Sequence, residues 1–166
     1  MSISQTVVEY LRENDLLLTT AESCTAGKIV TLLAEVPHSG ELIESGYVVY
    51  SPEAKQRLLN VSPQTIETLN LTSCEVAREM AEGALRDSTA NVAVATTGIL
   101  GPEDFDGVPA GTICFAWAYQ TVQGCSVFSR QQRFFGTRCE VQLLAAEHAL
   151  KLLPHFHQRA LAGEQG

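Results

Sequence analysis

Ser23 and Lys55 are the residues of this chain whose types and surroundings best suit nucleophilic chemistry. Ser23 closes an apolar run, Leu16-Leu17-Leu18-Thr19-Thr20-Ala21-Glu22, and a helical spacing of Ile29, Leu32 and Leu33 follows it. That pattern predicts a strand, a tight turn and a helix N-terminus, where free backbone N–H groups and the positive end of the helix dipole face outward. A serine there can attack a carbonyl while adjacent amides stabilise the oxyanion. A serine at such a place more often serves as N-cap, but Thr25 could cap equally well and leave Ser23 free. Cys24 is a weaker candidate nucleophile, at a position where thiol pKa tends to fall.

A serine nucleophile needs a base. His38 falls in a loop, His148 in the middle of a helical stretch, and His155 and His157 near the polar end of the chain, so a Ser-His-Asp triad is unsupported. The lysines are Lys28, Lys55 and Lys151. Lys55 follows Ser51-Pro52-Glu53, a helix start with serine at the N-cap and proline at the first helical position. It can therefore point back at the edge of the sheet, where desolvation and the helix N-terminus both disfavour its charged form. Most lysines are solvated surface charges; the strand-exit position and the company of Tyr50 set this one apart. Tyr50 could donate a hydrogen bond or stack on a flat ring, or be an aromatic at the edge of the core.

The elements that must position these residues alternate along the chain. A helical stripe at Val7, Val8, Tyr10 and Leu11, capped by Ser2 or Ser4, precedes a strand over 16–21. A helix over 25–34, a strand over 46–50 and helices after Ser51 and Ser62 follow. Thr72 with Glu75 reads as a capping box opening a long helix to about Asp87. A strand over 91–97 leads into a loop over 99–111, too rich in glycine and proline for a regular element. Strands over 112–119 and 125–135 read as a hairpin around Gly124, and a helix over 137–153 ends at Pro154, leaving a polar tail that frays. The expected fold is an α/β three-layer α/β/α sandwich with a mixed, mostly parallel sheet and one hairpin, as a single domain over 1–166. Ligands of such sheets gather at strand exits. Here these are Glu22-Ser23, Tyr50-Ser51 and Thr97-Gly98, the last with its glycine-proline loop. That loop is not a P-loop, since no Gly-Lys-Ser/Thr follows. Arg138, opening the last helix, is either a surface arginine or a phosphate contact helped by the helix N-terminus.

The 166 residues are 45% hydrophobic and 18% charged, an ordinary globular composition with a formal charge of −8. That balance argues against nucleic acid or an anionic membrane as the main partner, though not against a small anionic ligand. Residues 1–14 mix charges with apolar side chains, and no apolar stretch approaches the roughly 20 residues of a membrane span. A cytoplasmic protein is expected, assembled as a homodimer or tetramer. Cys24, Cys74, Cys114, Cys125 and Cys139 are scattered and lack the spacing of zinc ligands, so neither disulfides nor a metal is expected and most should be small buried hydrophobes.

Five motifs lie in order: Thr-Ala-Glu-Ser-Cys-Thr-Ala-Gly at 20–27, Gly-Tyr-Val-Val-Tyr-Ser-Pro-Glu-Ala-Lys at 46–55, Thr-Gly-Ile-Leu-Gly-Pro at 97–102, Pro-Ala-Gly-Thr at 109–112 and Gly-Thr-Arg at 136–138. Together they resemble the motif set of the CinA C-terminal family, whose members include nicotinamide mononucleotide amidohydrolases. The resemblance implies deamidation of that nucleotide to nicotinate mononucleotide and ammonia, with no cofactor. By the same resemblance Ser23 is the nucleophile, Lys55 the base and Tyr50 the accessory group. Thr97 and Arg138 match positions of substrate and phosphate contacts, and Thr25, Gly98 and Gly101, within the same motifs, complete the expected substrate-binding set. Departures from the family pattern are His38 and Gly40 for a glycine and a serine, Leu100 for alanine, Thr137 for aspartate and Gln142 for arginine. They place change at the periphery of the presumed substrate site. Two alternatives follow: a weakened relative that keeps a nucleotide as regulatory ligand, or a hydrolase of another small amide.

Overall fold

The computed structural model describes residues 1–166. Its sheet has the order β2 (Ile43–Val48), β1 (Leu18–Glu22), β3 (Val92–Gly98), β4 (Thr112–Thr121) and β5 (Gly124–Arg133). Strand β1 pairs in parallel with both β2 and β3, while β4 runs antiparallel to β3 and to β5. Four strands thus point one way and β4 alone is reversed, in line with the expected mixed, mostly parallel sheet.

The two faces of the sheet differ in side-chain size because neighbours along a strand alternate sides. One face carries Val92, Val94, Ile113, Phe115, Trp117 and Tyr119, covered by α1 (Ile3–Glu13), α2 (Lys28–Ala34), α6 (Arg138–Lys151) and α7 (Leu153–Leu161). The other carries Ala93, Ala95, Cys114, Ala116 and Ala118 against α5 (Cys74–Asp87), itself lined with Ala77, Ala81 and Ala84. Beside α5 lie α3 (Pro52–Leu59) and the short α4 (Pro63–Leu69). Small residues on both sides of that contact let a long helix lie close to the strands, whereas the opposite layer is filled by rings. No helix is long and apolar enough to cross a membrane.

Caps explain most boundaries. Ser2 and Gln5 form a capping box on α1, Ser51 and Ser62 cap α3 and α4 with prolines following, and Thr137 with Glu140 boxes α6. Three expectations need correction. The cap of α5 is Ser73, which accepts from Val76 N, while Thr72 only bonds back to Asn70. Pro154 ends one helix but begins another: α7 buries Leu153, Phe156, His157 and Ala160, where a frayed tail was expected. The Phe156 ring packs between Trp117 and Phe128, with centroids 4.7 and 5.1 Å away. Of the cysteines, Cys24 and Cys114 are buried, Cys74 is half-buried, and Cys125 and Cys139 are exposed, so fewer than expected serve as core hydrophobes.

Candidate active site

Strand β1 ends at Glu22, and the chain does not enter α2 at once. Ser23 N still donates to Thr96 O of β3 at 3.1 Å, and then Ala26 and Gly27 take left-handed conformations before the helix starts at Lys28. The expected start at 25 was too early, because residues 24–27 form a turn. No side chain caps α2 from its N-cap Gly27. Glu22 does so from the strand: Oε1 accepts from Gly27 N (3.1 Å) and Ile29 N (3.0 Å), and Oε2 from Val30 N (3.3 Å). The hydroxyls of Thr25 (2.7 Å) and Thr20 (3.0 Å) complete five donors on a fully buried carboxylate. The helix-terminal amides and dipole, normally offered to a ligand, are here spent on Glu22. Sequence reasoning missed this residue; the available signal was a carboxylate six residues before a helix that has no capping side chain of its own.

The turn presents Ser23 to Lys55. Lys55 is 1% exposed and Ser23 7%. Lys55 Nζ lies 3.0 Å from Ser23 Oγ, 2.8 Å from Val49 O and 2.8 Å from Tyr50 O. Burial pushes the Lys55 ammonium down to about 8. The cap at Ser51 and Pro52 fixes where α3 begins and so places Lys55 under the end of β2. Tyr50 holds the amine through its carbonyl, while its ring, 54% exposed, lines the cleft. The backbone amides of Cys24 and Thr25 donate to no protein acceptor. Cys24 points into the core, and burial drives its thiol up to about 12, the reverse of what a helix N-terminus would have done.

The cleft has a volume of about 660 Å³ and is lined by Ser23, Tyr50 and Lys55 together with Thr97, Gly98, Gly101 and Arg138. All three strand exits converge on it. Gly98 has a packing reason: a Cβ there would meet Thr112 O at 2.6 Å. Thr97 Oγ1 donates to Leu71 O at 3.0 Å, and Arg138 Nη1 donates to Gly101 O at 2.7 Å with its side chain otherwise exposed. Thr25 is the exception: it is buried behind the turn, bonded to Glu22 and Thr96, and does not line the cleft. None of the four histidines lines it either.

The departures from the motif pattern separate. Leu100 is buried and lines the cleft, Thr137 caps α6, and Gln142 Nε2 donates to Cys24 O at 3.1 Å, bracing the turn from outside. His38 and Gly40 precede the start of β2, so they sit at the end of the sheet opposite the exits of β1 and β2, which corrects their placement at the periphery of the site.

The family model of the CinA C-terminal domain matches residues 1–157. The chain belongs to the CinA C-terminal domain family. CinA-like proteins of Chlorobium limicola and Chlorobium luteolum are 39% and 41% identical over 90% and 99% of this chain. The chain spans only 35% and 38% of those two relatives' lengths. Escherichia coli protein YdeJ is 40% identical over 70% of this chain and 68% of its own. Among solved structures, a CinA superfamily protein of Escherichia coli superposes with a TM-score of 0.87 at 35% identity, covering 93% of this chain and 88% of that one. CinA family membership accounts for the sheet order and helix layers; the names of these relatives state no reaction.

Proposed function

We propose that this chain is a metal-independent amidohydrolase that deamidates nicotinamide mononucleotide, with Ser23 as nucleophile and Lys55 as base. The observation that carries the reading is the buried Lys55 amine, 3.0 Å from Ser23 Oγ and acidified to about 8. A neutral amine has two N–H bonds and one lone pair. Carbonyl oxygens only accept, so Val49 O and Tyr50 O take the two hydrogens and leave the lone pair for the Ser23 hydroxyl.

Ser23 Oγ attacks the amide carbonyl as its proton passes to Lys55 Nζ. The free amide of Cys24, on the same turn and lining the cleft, would hold the oxyanion. Collapse breaks the C–N bond, Lys55 returns the proton to the leaving nitrogen, and ammonia departs from a Ser23 ester. Water then attacks that ester, its proton goes to Lys55 and on to Ser23 Oγ, and the carboxylic acid leaves. Tyr50 would stack on or orient the ring, and Arg138 would meet the phosphate with the part of its guanidinium not bonded to Gly101. Thr97, Gly98 and Gly101 would form the floor against which the nucleotide lies. A cleft of this volume falls within the roughly 300–1,000 Å³ usual for small-molecule sites.

Ammonia release from nicotinamide mononucleotide by the purified protein tests the reading. Turnover that is lost in Ser23→Ala and insensitive to chelators is expected, and an active Ser23→Ala protein overturns it.

A further inference from the structure

The loop between β3 and β4 brings to the cleft a ring that the core does not use. Phe105 is 64% exposed and lines the same cleft as Tyr50. Leaving an apolar ring in water forgoes the stabilisation its burial would give, and a slack loop could fold it away. This one is braced. Phe105 N donates to Val108 O at 3.0 Å and Val108 N to Phe105 O at 2.8 Å, closing a two-residue hairpin. Its tip, Asp106-Gly107, has φ of 51° and 77°, the left-handed pair of a type I′ turn that favours glycine. Asp104 Oδ1 accepts from Ala110 N at 2.8 Å, and Asn70 Nδ2 reaches Asp106 O at 3.5 Å from the opposite loop. A ring held on a pre-formed turn loses little freedom when a ligand stacks on it.

Acidic residues flank that ring along the chain: Glu103 and Asp104 precede it and Asp106 follows it. Glu103 lines the cleft and takes no part in the chain's two ion pairs, Arg12–Glu41 and Arg159–Glu164. Aromatic faces attract cations, and an unpaired carboxylate adds to that attraction. We propose that Phe105 and Glu103 determine specificity by selecting a carboxamide borne on a planar ring with a fixed positive charge, an N-substituted pyridinium. A neutral ring of the same shape stacks on Phe105 and Tyr50 but gains nothing from Glu103. The inference rests on the amidohydrolase reading for the carboxamide at Ser23, and its test reads binding separately from turnover.

The test is calorimetric titration of the Ser23→Ala protein with 1-methylnicotinamide and with nicotinamide, repeated with Phe105→Leu or Glu103→Gln added. Both added changes are at exposed positions, and an unchanged melting temperature confirms that the fold is kept. The cation should bind roughly five- to thirty-fold tighter than the neutral ring. Each substitution should lower that ratio, and Glu103→Gln should also flatten its dependence on salt. Equal binding of the two ligands, a ratio unmoved by either substitution, or no binding of the cation at millimolar concentration overturns the proposal. Absence of ammonia release by the wild-type protein overturns the hydrolase reading instead and leaves the binding ratio to decide this one.

Discussion

At Ser23 the hydroxyl meets one amine, and two carbonyls fix how that amine is turned. The pair acts as a unit, so Ser23→Ala and Lys55→Ala should each lower kcat roughly 10³-fold or more, and the double variant should be scarcely worse, as single-turnover kinetics would show. Only the neutral amine accepts a proton, so kcat/KM should rise with pH through a midpoint near 8. The same burial leaves a mark on stability. The folded Lys55 holds its proton less tightly than the unfolded one, at about 8 against 10.5, so the unfolded state binds more protons between those values. Wild-type stability should therefore gain on that of Lys55→Met by about 3 kcal/mol as pH rises from 8 to 10.5, measured by urea unfolding. Glu22 plays a different part: it touches no substrate and positions the turn. Glu22→Gln turns an NH₂ group toward donors that need an acceptor. It should cost about 1.5–3 kcal/mol in urea unfolding, and kcat should fall while KM holds.

Among the elements, α7 shows how a short sequence feature can mislead. Pro154 breaks α6, but proline is equally suited to the first turn of a helix. The buried stripe Leu153, Phe156, His157 and Ala160 is interrupted by His155, Gln158 and Arg159, which give the segment its polar look. Phe156→Ala should cost about 3–5 kcal/mol, since the ring sits between Trp117 and Phe128; thermal or urea unfolding measures it. The layers and the three strand exits were legible because apolar runs, serine-proline starts and the glycine-rich loop are local signals. Ser23 and Lys55 were legible for the same reason, each lying where a strand gives way to a turn. Glu22 was not, because a carboxylate reads as a solvated charge until its five donors, from two elements, are in place. Thr25 was misassigned with it, the helix start having been set three residues early. The placement of His38 and Gly40 failed for want of direction: sequence shows that a loop joins a helix to a strand, not which end of the sheet it occupies.

For the whole molecule, the sheet divides its labour. The exits of β2, β1 and β3 build the cleft, while β4, β5 and α7 supply bulk behind it. Strand β5 is an outer edge, and the end of the chain covers part of it: Val127 N donates to Gln165 O, and Ser126 Oγ to Glu164 O. Removing residues 162–166 would expose that edge, so concentration-dependent self-association should appear on size-exclusion chromatography while turnover at low concentration persists. The central place of β1 bears also on how the protein is made. Residue 18 must meet residue 92 before β1 has partners on both sides. During synthesis from the N-terminus, the strand that carries the nucleophile therefore waits, with only β2 beside it, until β3 leaves the ribosome. Throughout that interval its second edge lies open, and this is the stage at which a nascent chain of this topology needs shelter from its neighbours.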